Sequence, residues 1–539
     1  MNEIMTKGLP TSPNGTAGAL KGAEKNLTPE RIVERYKKSL ERRQAWESHW
    51  RECYDFALPR RDAAIVSGQP GEKKTDKLFD GTAPDAVEQL AASLLSELTP
   101  PWARWFGLIA GHELSDEEAA SIGPQLERIS KVLQSNYDRS NFAVEMHQCY
   151  LDLVTAGTAS LLMEEASISE SSAFRFTAVP LSQVVLEESL DGRLDTTFRR
   201  SQLTRAELMT RFSENEVPEQ RSERAGTHDE GKYAVIEAVI PDQSGYAYTA
   251  VLDPEGSQNQ GASILAEGRF AHSPFINFRW LKAPGEIYGR SPVMKALPDI
   301  KTANKVVELI LKNASIAVTG IWQADDDGVL NPANIKLVPG TIIPKAVGSQ
   351  GLKPLESPGR FDVSELVLGK LRESIRKALL ADKLGQIDAP KMTATEVLER
   401  SAEMARLLGA TYGRLQSELL SPLVARSMAI LIRRGEIEDI HIDGATIDLE
   451  YRSPMARQQS RQEAQGVMNW FQALASIGPE AMATIDQGAA ARWLAKIFAV
   501  PPELLKDQTD ITEMLPPAAL DALSALSAPQ NPGGSDVGQ

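Results

Sequence analysis

Cysteine is almost absent from this sequence of 539 residues, in which Cys53 and Cys149 are the only two. Two isolated cysteines exclude a disulfide framework and any zinc site built on cysteine ligands. They fit a protein that is made in a reducing cytoplasm. A chain of this length also buries enough surface to fold without a disulfide or a metal ion.

An excess of positive charge is missing as well. The chain carries 58 lysines and arginines against 73 aspartates and glutamates, which gives a net charge of −15. Binding to duplex DNA depends on Lys and Arg side chains that neutralise phosphates, so a protein that coats DNA with basic surface is excluded. A protein that lets DNA slide past it is not excluded. No stretch approaches the roughly 20 apolar residues of a membrane-spanning helix, so we expect no membrane span.

Recognisable catalytic motifs are also lacking. The six histidines have no metal-ligand spacing, and the sequence contains no His-Glu-x-x-His motif, no nucleophile elbow and no Gly-x-x-x-x-Gly-Lys-Ser/Thr loop. Residues 285–291 resemble a phosphate loop only superficially, because the spacing differs and Arg290 replaces the lysine. The run Asp325, Asp326, Asp327 is more typical of a hairpin turn than of a cation site. We therefore predict a protein that is not an enzyme, with no catalytic residue, metal or cofactor.

What the sequence contains is typical of a large globular protein. Hydrophobic residues make up 42% and charged residues 24%, and the length corresponds to about three or four domains. Residues 1–27 predict a flexible tail. Helical patterns with capping signals dominate up to residue 156, and short strand-like runs between turn residues follow up to residue 280. These patterns predict an α+β fold that is mainly helical.

Three long helices organise the second half of the sequence. The first covers residues 291–318 and the second residues 362–381, with a small β module between them. The simplest packing is an antiparallel helix pair with this module at its tip. A third helix follows the loop 382–392, should kink at Pro422, and precedes a predicted strand pair at 441–451. In the second helix, Arg372 and Arg376 have Glu365 and Glu373 nearby, and we predict structural ion pairs between neighbouring helices.

The helix predicted at 291–318 carries a polar stripe. Lys301, Lys305, Glu308 and Lys312 are spaced so that, at about 100° per residue, they fall within a narrow sector. Two interpretations fit this pattern. The lysines form the solvated face of an ordinary amphipathic helix, with Glu308 reducing their repulsion, or they line a passage for a polyanion. The sequence leaves open which face of this helix points inward.

Several short sequence strings follow one another along the chain. They are WRECYDFALP at 50–59, FDGTA at 79–83, LAASL at 90–94 with LTPP at 98–101, WF at 105–106, and GEIYGRSP at 285–292 continuing into ALPDIK at 296–301. In number, order and spacing they resemble the head-to-tail connector (portal) proteins of short-tailed, podovirus-type bacteriophages. The resemblance covers residues 28–506.

The resemblance implies a ring, commonly a dodecamer, at one vertex of the capsid. Double-stranded DNA would enter through its channel during packaging and leave through it during ejection. The phage portal fold then divides the chain into wing, stem, clip and crown. The implied parts are a tail (1–27), the wing (28–290), stem helix 1 (291–318), the clip (319–361), stem helix 2 (362–381), the tunnel loop (382–392), the long kinked wing helix with its strand pair (393–455), the helical crown (456–506) and a disordered tail (507–539).

Candidate site residues and partners also follow from the resemblance. The candidates for the DNA channel are Lys301, Lys305, Lys312, Lys383 and Lys391, and those for docking at the clip are Asp325, Asp326 and Asp327. The implied partners are further copies of the chain, double-stranded DNA bound without sequence specificity, the terminase packaging motor, tail or adaptor proteins, and the major capsid and scaffolding proteins. The implied location is the virion, after assembly in the cytoplasm of the host bacterium.

Two other functions stay open at the level of sequence. One is a DNA-packaging enzyme, either a motor ATPase or a nuclease, which would need a phosphate loop or a carboxylate cluster. The other is a capsid or scaffold protein that forms no channel. A ring with a central hole would distinguish the portal from both.

Overall fold

The computed structural model describes residues 28–59, 75–212, 233–243, 245–253, 262–319, 322–323, 353–354, 361–381, 409, 411–438, 447–451, 454–478 and 485–497. Contacts divide the chain into two compact units, Met1–Pro454 and Met455–Gln539. The predicted tails at 1–27 and 507–539 lie outside the described residues.

Ten α-helices occur in the described part of the chain. They are α1 (Pro29–Ala57), α2 (Thr82–Leu98), α3 (Asp116–Arg139), α4 (Phe142–Ala156), α5 (Arg205–Arg211), α6 (Pro292–Thr319), α7 (Phe361–Ala378), α8 (Ser421–Arg434), α9 (Pro454–Ile477) and α10 (Gln487–Ile497). The second unit contains α9 from its second residue onward and α10.

Twelve strands accompany these helices within the same residues. They are β1 (Phe106–Ala110), β2 (Thr158–Glu165), β3 (Phe174–Val179), β4 (Val184–Glu187), β5 (Thr196–Leu203), β6 (Tyr233–Asp242), β7 (Gly245–Leu252), β8 (Ser263–Phe270), β9 (Phe275–Arg279), β10 (Trp322–Gln323), β11 (Lys353–Pro354) and β12 (Ile447–Tyr451). Five form an antiparallel sheet in the order β4-β5-β6-β7-β8, and three form another in the order β3-β2-β9. The predicted α+β, mainly helical class is confirmed.

Helix α1 packs against the five-stranded sheet and forms a hydrophobic core with it. Ile32, Val33 and Tyr36 on one face of the helix contact Phe198 and Ile236 of the sheet. Their spacing of one, three and four residues is that of a helix face, so the sequence pattern and the packing agree.

A fully buried arginine fixes α1 further along its length. The Arg43 guanidinium donates to the carbonyl oxygens of Leu181 at 2.9 Å and Val184 at 2.6 Å. It also pairs with Glu47 at 2.9 Å. Buried charges persist only when they are paired and hydrogen-bonded, and these contacts meet that requirement.

The local signals for helix ends are confirmed where the structure describes them. Helix α1 begins at Pro29 and ends at Ala57, two residues before Pro59, although the Thr28 side chain makes no cap hydrogen bond. Helix α3 begins with the predicted capping box, in which Ser115 and Glu118 bond to each other's backbone amides.

Six strands were not anticipated at their positions from the sequence: β1, β2, β8, β9, β10 and β11. Strand β9 is buried at all five positions, and β2 is buried at its first six. A strand that is covered on both faces shows no alternation of polar and apolar residues. The alternation of polar and apolar residues is therefore missing from these two buried strands.

The second member of the strand pair predicted in residues 441–451 is present as β12, and the pair itself stays a prediction. Strand β12 pairs with β1, about 340 residues earlier in the chain, and Phe106 lies opposite Tyr451. The first member of the predicted pair, at 441–442, lies outside the described residues. A local hairpin can be predicted from its turn residues, whereas a pairing between distant segments has no local signal in the sequence.

The third long helix is described from Thr411 to Arg434 and contains a π-helical turn, Gln416–Leu420, directly before Pro422. Because Pro422 has no N–H, the carbonyl group four residues earlier loses its α-helical donor. The backbone N–H of Ser421 instead reaches the carbonyl oxygen of Gln416, five residues back. The irregularity predicted at Pro422 thus takes the form of a π turn.

The same helix corrects the expectation that no stretch is apolar enough to cross a membrane. Among the described residues, Thr411–Arg434 is the one helix that is long and apolar enough to cross a membrane, with a mean hydropathy of 1.2 over 18 residues. Within that window, 56% is buried inside the protein. Its Arg426 side chain donates to the carbonyl oxygens of Met163 at 2.9 Å and His272 at 2.7 Å. Part of this apolar helix therefore packs inside the protein itself.

Helices α6 and α7 form the predicted antiparallel pair. The Ser374 hydroxyl near the end of α7 donates to Asp299 near the start of α6 at 2.7 Å. At the other end of the pair, β10 and β11 are antiparallel, with Trp322 opposite Pro354. A β connection between two packed helices is therefore confirmed, while most of residues 319–361 lie outside the described part.

Candidate nucleic-acid surface on α6

The start of α6 is fixed to the end of α4. The Ser291 hydroxyl accepts from the Met294 backbone N–H at 2.9 Å, as an N-cap should, and it donates to the Thr155 carbonyl oxygen at 2.8 Å. Pro292 occupies the first helical position, where a missing N–H costs nothing. One buried serine thus begins one helix and attaches it to another.

Two glycines allow the segment before α6 to pass very close to the start of β2. A Cβ atom on Gly289 would lie 2.1 Å from the Gly157 carbonyl oxygen, and Gly157 has a φ of +80°. The Gly289 N–H donates to the Thr158 hydroxyl at 2.8 Å. Arg290 pairs with Glu286. Residues 285–291 therefore form a packing joint, not a phosphate loop.

The three lysines of the row, Lys301, Lys305 and Lys312, are exposed along α6. Lys301 is 45% exposed, Lys305 61% and Lys312 64%. Lys305 and Lys312 both pair with Glu308, at 3.0 and 2.6 Å, and Lys301 pairs with Glu52 of α1 at 3.1 Å. The stripe is therefore a continuous row of charged groups that remains open to solvent.

Glu308 offsets part of the positive charge of this row. Hydrogen bonds from Lys312 and Lys305 lower its pKa below the ordinary value, so the carboxylate is ionised at neutral pH. Exposed ion pairs of this kind contribute about 0–1 kcal/mol each. Because the pairs are weak, a passing phosphate competes with Glu308 for the same two amines. The arrangement can give brief, repeated contacts with a polyanion.

Both helices of the pair hold the segment that leads into α2. The Asn304 side chain of α6 accepts from the backbone N–H groups of Phe79 at 2.6 Å and Asp80 at 3.1 Å. Arg372 of α7 pairs with the buried Asp80 at 2.7 Å. This segment is the FDGTA string at 79–83, so one of the resemblance strings has a structural purpose as an anchor.

The ion pair of Arg372 is structural, as the sequence predicted, but its partner differs. Glu365 and Glu373 were the predicted partners, but the structure pairs Arg372 with Asp80, 292 residues away. Burial alone would raise the pKa of Asp80, yet the hydrogen bonds from Thr82 and Arg372 lower it. An ionised and well-bonded carboxylate thus joins α7 to the start of α2.

A second arginine joins the strands to the π turn. The fully buried Arg279 guanidinium bonds to Glu418 at 2.6 Å and Glu188 at 3.0 Å. It also donates to the carbonyl oxygens of Ile287 at 3.0 Å and Gly192 at 2.9 Å. The backbone N–H of Arg279 reaches Glu418 as well, at 3.0 Å. These contacts fix the π turn against the edge strand β9.

Not every predicted site residue can be placed. Lys383 and Lys391, predicted for a tunnel loop, and Asp325, Asp326 and Asp327, predicted for a clip, lie outside the described residues. Among the residues that the structure does describe, no group of three or more His, Cys, Asp or Glu side chains could hold a metal ion.

The anchoring residues Asp80, Asn304, Arg279 and Glu418 were missed by sequence reasoning. Single polar residues within apolar segments were the available signal, since a buried polar group needs a partner. The identity of each partner is set by the tertiary fold and could not be deduced from spacing.

Comparison with known proteins places the chain among phage proteins. The chain is 25% identical over 500 residues to the probable portal protein of Bordetella phage BPP-1, which covers 88% of each chain. It is 25% identical over 521 residues to the portal protein of Salmonella phage epsilon15, covering 89% of each. The portal protein of Escherichia phage T7 is 22% identical over 403 residues, covering 72% of each.

Solved structures with similar chains come from gene transfer agent particles. A chain of the native particle's virion has 12% identity and a TM-score of 0.35, covering 75% of this chain and 92% of that one. A chain of the native particle's neck, computed with C12 symmetry, has 15% identity and a TM-score of 0.32, covering 75% and 92%. TM-scores this low carry no argument about the family. The family assignment therefore rests on the matching family model, bacteriophage head to tail connecting protein. Because that model matches residues 30–505, most of the chain, this protein belongs to the bacteriophage head-to-tail connecting protein family.

Proposed function

We propose that this chain is a portal subunit, and that identical copies close into a ring through which double-stranded DNA passes. The protein is a structural portal protein of the phage capsid and has no enzymatic role of its own. The family assignment favours this function over a packaging motor, a nuclease or a capsid protein without a channel.

One observation supports the channel assignment most directly: the exposed lysine row on α6 in a chain that is otherwise acidic. Lys301, Lys305 and Lys312 reach solvent along one side of a helix that is firmly attached to α4 and α2. In a ring, each of these lysines becomes a circle of amines at one level of the channel. A rigid helix keeps the circles at fixed heights.

The charge balance suits a channel that must not retain its cargo. With a net charge of −15 per chain, twelve copies together carry about −180, which repels DNA from the bulk of the ring. Phosphate contacts are strong and depend on salt, so a basic wall would stop DNA from moving. A few amines, each already shared with Glu308 or Glu52, steady the duplex without holding it.

The remaining parts follow the same proposal. Residues 319–361 form the clip, with Asp325, Asp326 and Asp327 as docking candidates for the terminase motor and later for tail proteins. Residues 382–392 form the tunnel loop, whose Lys383 and Lys391 add two more circles of amines. The ring is a dodecamer, assembles in the host cytoplasm with capsid and scaffolding proteins, and resides at one vertex of the virion.

The test is a charge reversal on the row. Changing Lys301→Glu, Lys305→Glu and Lys312→Glu together should leave ring assembly intact, because all three side chains are exposed. Packaging or retention of DNA should be altered, since three circles of amines become circles of carboxylates. Both are measured in an in vitro packaging reaction, by the length of DNA protected from nuclease.

A matched control lies on the same helix pair. Lys370 and Lys377 of α7 are exposed and lie about 140–180° around that helix from its buried residues Leu368 and Ile375. Lys370→Glu with Lys377→Glu should package as the wild type does. Unchanged packaging and retention in the triple variant would show that the row does not face DNA.

A further inference from the structure

Two exposed leucines flank the lysine row on α6. Leu309 is 49% exposed and Leu311 is 54% exposed. At about 100° per residue, they lie about 80° to either side of the centre of the row that contains Glu308. At the level of residues 309–311, apolar surface is left open on both sides of the charged row, whereas closer to the start of the helix the Leu311 side is covered by residues 77–80, which bond to Asn304.

The side of α6 opposite the row is already occupied. Asp299, about 160° around the helix from Lys301, bonds to Ser374 of α7 at 2.7 Å. Ile310, which faces the same way, is half-buried. Beyond Asn304, helix α6 therefore has four distinct sides: the charged row, a leucine on each flank, and a back that packs on α7.

We infer that the two leucine flanks are the contacts between neighbouring copies of this chain, with the Leu309 side of one α6 packed against the Leu311 side of the next. This inference rests on the proposed ring. A ring that closes by rotation joins two different patches of each subunit, and here one patch is present on each flank. A single accessory protein would cover only one of them.

This packing decides which face of α6 points inward. With neighbours on both flanks and α7 behind, the only direction left for Lys301, Lys305 and Lys312 is the centre of the ring. Packed helix axes lie about 8–10 Å apart, so twelve untilted copies place their axes on a circle roughly 34 Å across. A helix width of about 10–12 Å then leaves a bore of roughly 23 Å, and any tilt widens it.

Crosslinking tests the contact in the full-length protein. The variant combining Leu309→Cys and Leu311→Cys is treated with a bis-maleimide whose reach matches the roughly 8–10 Å between packed helices. The expected product is a ladder of two, three and more linked subunits on a denaturing gel. The native Cys53 and Cys149 are buried, and burial raises the pKa of Cys53 to about 12, so the background is low.

Three controls make the result decisive. Either single cysteine variant should give no ladder, because a head-to-tail contact brings 309 of one copy to 311 of the next. Leu309→Cys combined with Leu366→Cys should also give none, since Leu366 is exposed on the outer side of α7. A linked dimer from one single variant would overturn the inference in favour of a two-fold contact.

Micrographs of the same samples separate this inference from the proposed function. Rings without a ladder from the double cysteine variant would refute the leucine contact and leave the portal function standing. Absence of rings in the wild type would refute the ring itself.

A charge-swap variant provides a second measurement. Leu309→Lys alone should reduce the yield of rings at least tenfold, and adding Leu311→Asp should restore them. Residues two apart on one helix do not face each other, so such rescue must act between copies. Failure of the second change to rescue would refute the pairing of these two flanks.

Discussion

Replacing Arg279 by methionine should destabilise the first unit by about 3–5 kcal/mol, the usual cost of removing one partner from a buried ion pair. The Arg279 side chain is 0% exposed and bonds to Glu418 and Glu188 together with two backbone carbonyl groups. Methionine fills a similar volume but returns none of these bonds. Glu418 and Glu188 then keep only Arg414 and Lys282 as cationic partners.

The assay is urea unfolding of the purified protein, followed by tryptophan fluorescence. Arg128→Met is the matched control, because Arg128 pairs with Glu438 at 3.2 Å on the surface, where such pairs contribute about 0–1 kcal/mol. Glu418→Gln should cost about 1.5–3 kcal/mol, the contribution of a hydrogen bond to a charged group. The double variant Arg279→Met with Glu418→Gln should cost less than the sum, because the two residues act on each other.

The reasoning would be refuted if Arg279→Met lost no more free energy of unfolding than Arg128→Met. Strict additivity of Arg279→Met and Glu418→Gln would also count against it. Either result would mean that the contact with the π turn does not stabilise the native fold.

Three further predictions concern the anchors and the row. Gly289→Ala should lower the thermal unfolding midpoint by several degrees, because the added Cβ would lie 2.1 Å from a backbone oxygen. Gly123→Ala is the control and should not lower the midpoint, since the space around Gly123 is open. Equal midpoints for the two variants would contradict the packing joint at residues 285–291. Asp80→Asn should have a lower free energy of unfolding than the wild type at pH 7. The difference should disappear as the pH falls below about 3.8, because the pKa of Asp80 is lowered in the folded state. A difference that does not depend on pH would contradict the ion pair with Arg372. Glu308→Gln should make DNA binding by the purified ring more dependent on salt. The slope of the logarithm of the binding constant against the logarithm of the salt concentration should steepen by about 0.9 for each added phosphate contact. An unchanged slope would contradict a role for Glu308 in limiting DNA retention.

Local features of the fold could be predicted from the sequence. Pro29 and the Ser115–Glu118 capping box marked helix starts, and the 3–4 residue spacing of the lysines placed them on one side of α6. Each of these signals depends on residues within one or two turns of a helix. Their physical causes are therefore contained in the sequence that displays them.

Distant pairings could not be predicted in the same way. Strand β12 pairs with β1, and Arg372 pairs with Asp80 instead of a glutamate on its own helix. Each partner is selected by the packed fold, which brings together segments about 300 residues apart. The apolar helix Thr411–Arg434 shows the same limit, since only the structure reveals that part of it packs inside the protein itself.

The central claim is that copies of this chain enclose a hole through which DNA moves, and an image of the assembled particle tests it most directly. Electron microscopy of the purified protein, with the symmetry counted from end-on views, should show closed rings of twelve subunits with α6 around the opening. A solid or open assembly, a uniform monomer under assembly conditions, or a bore too narrow for B-form DNA would contradict the account.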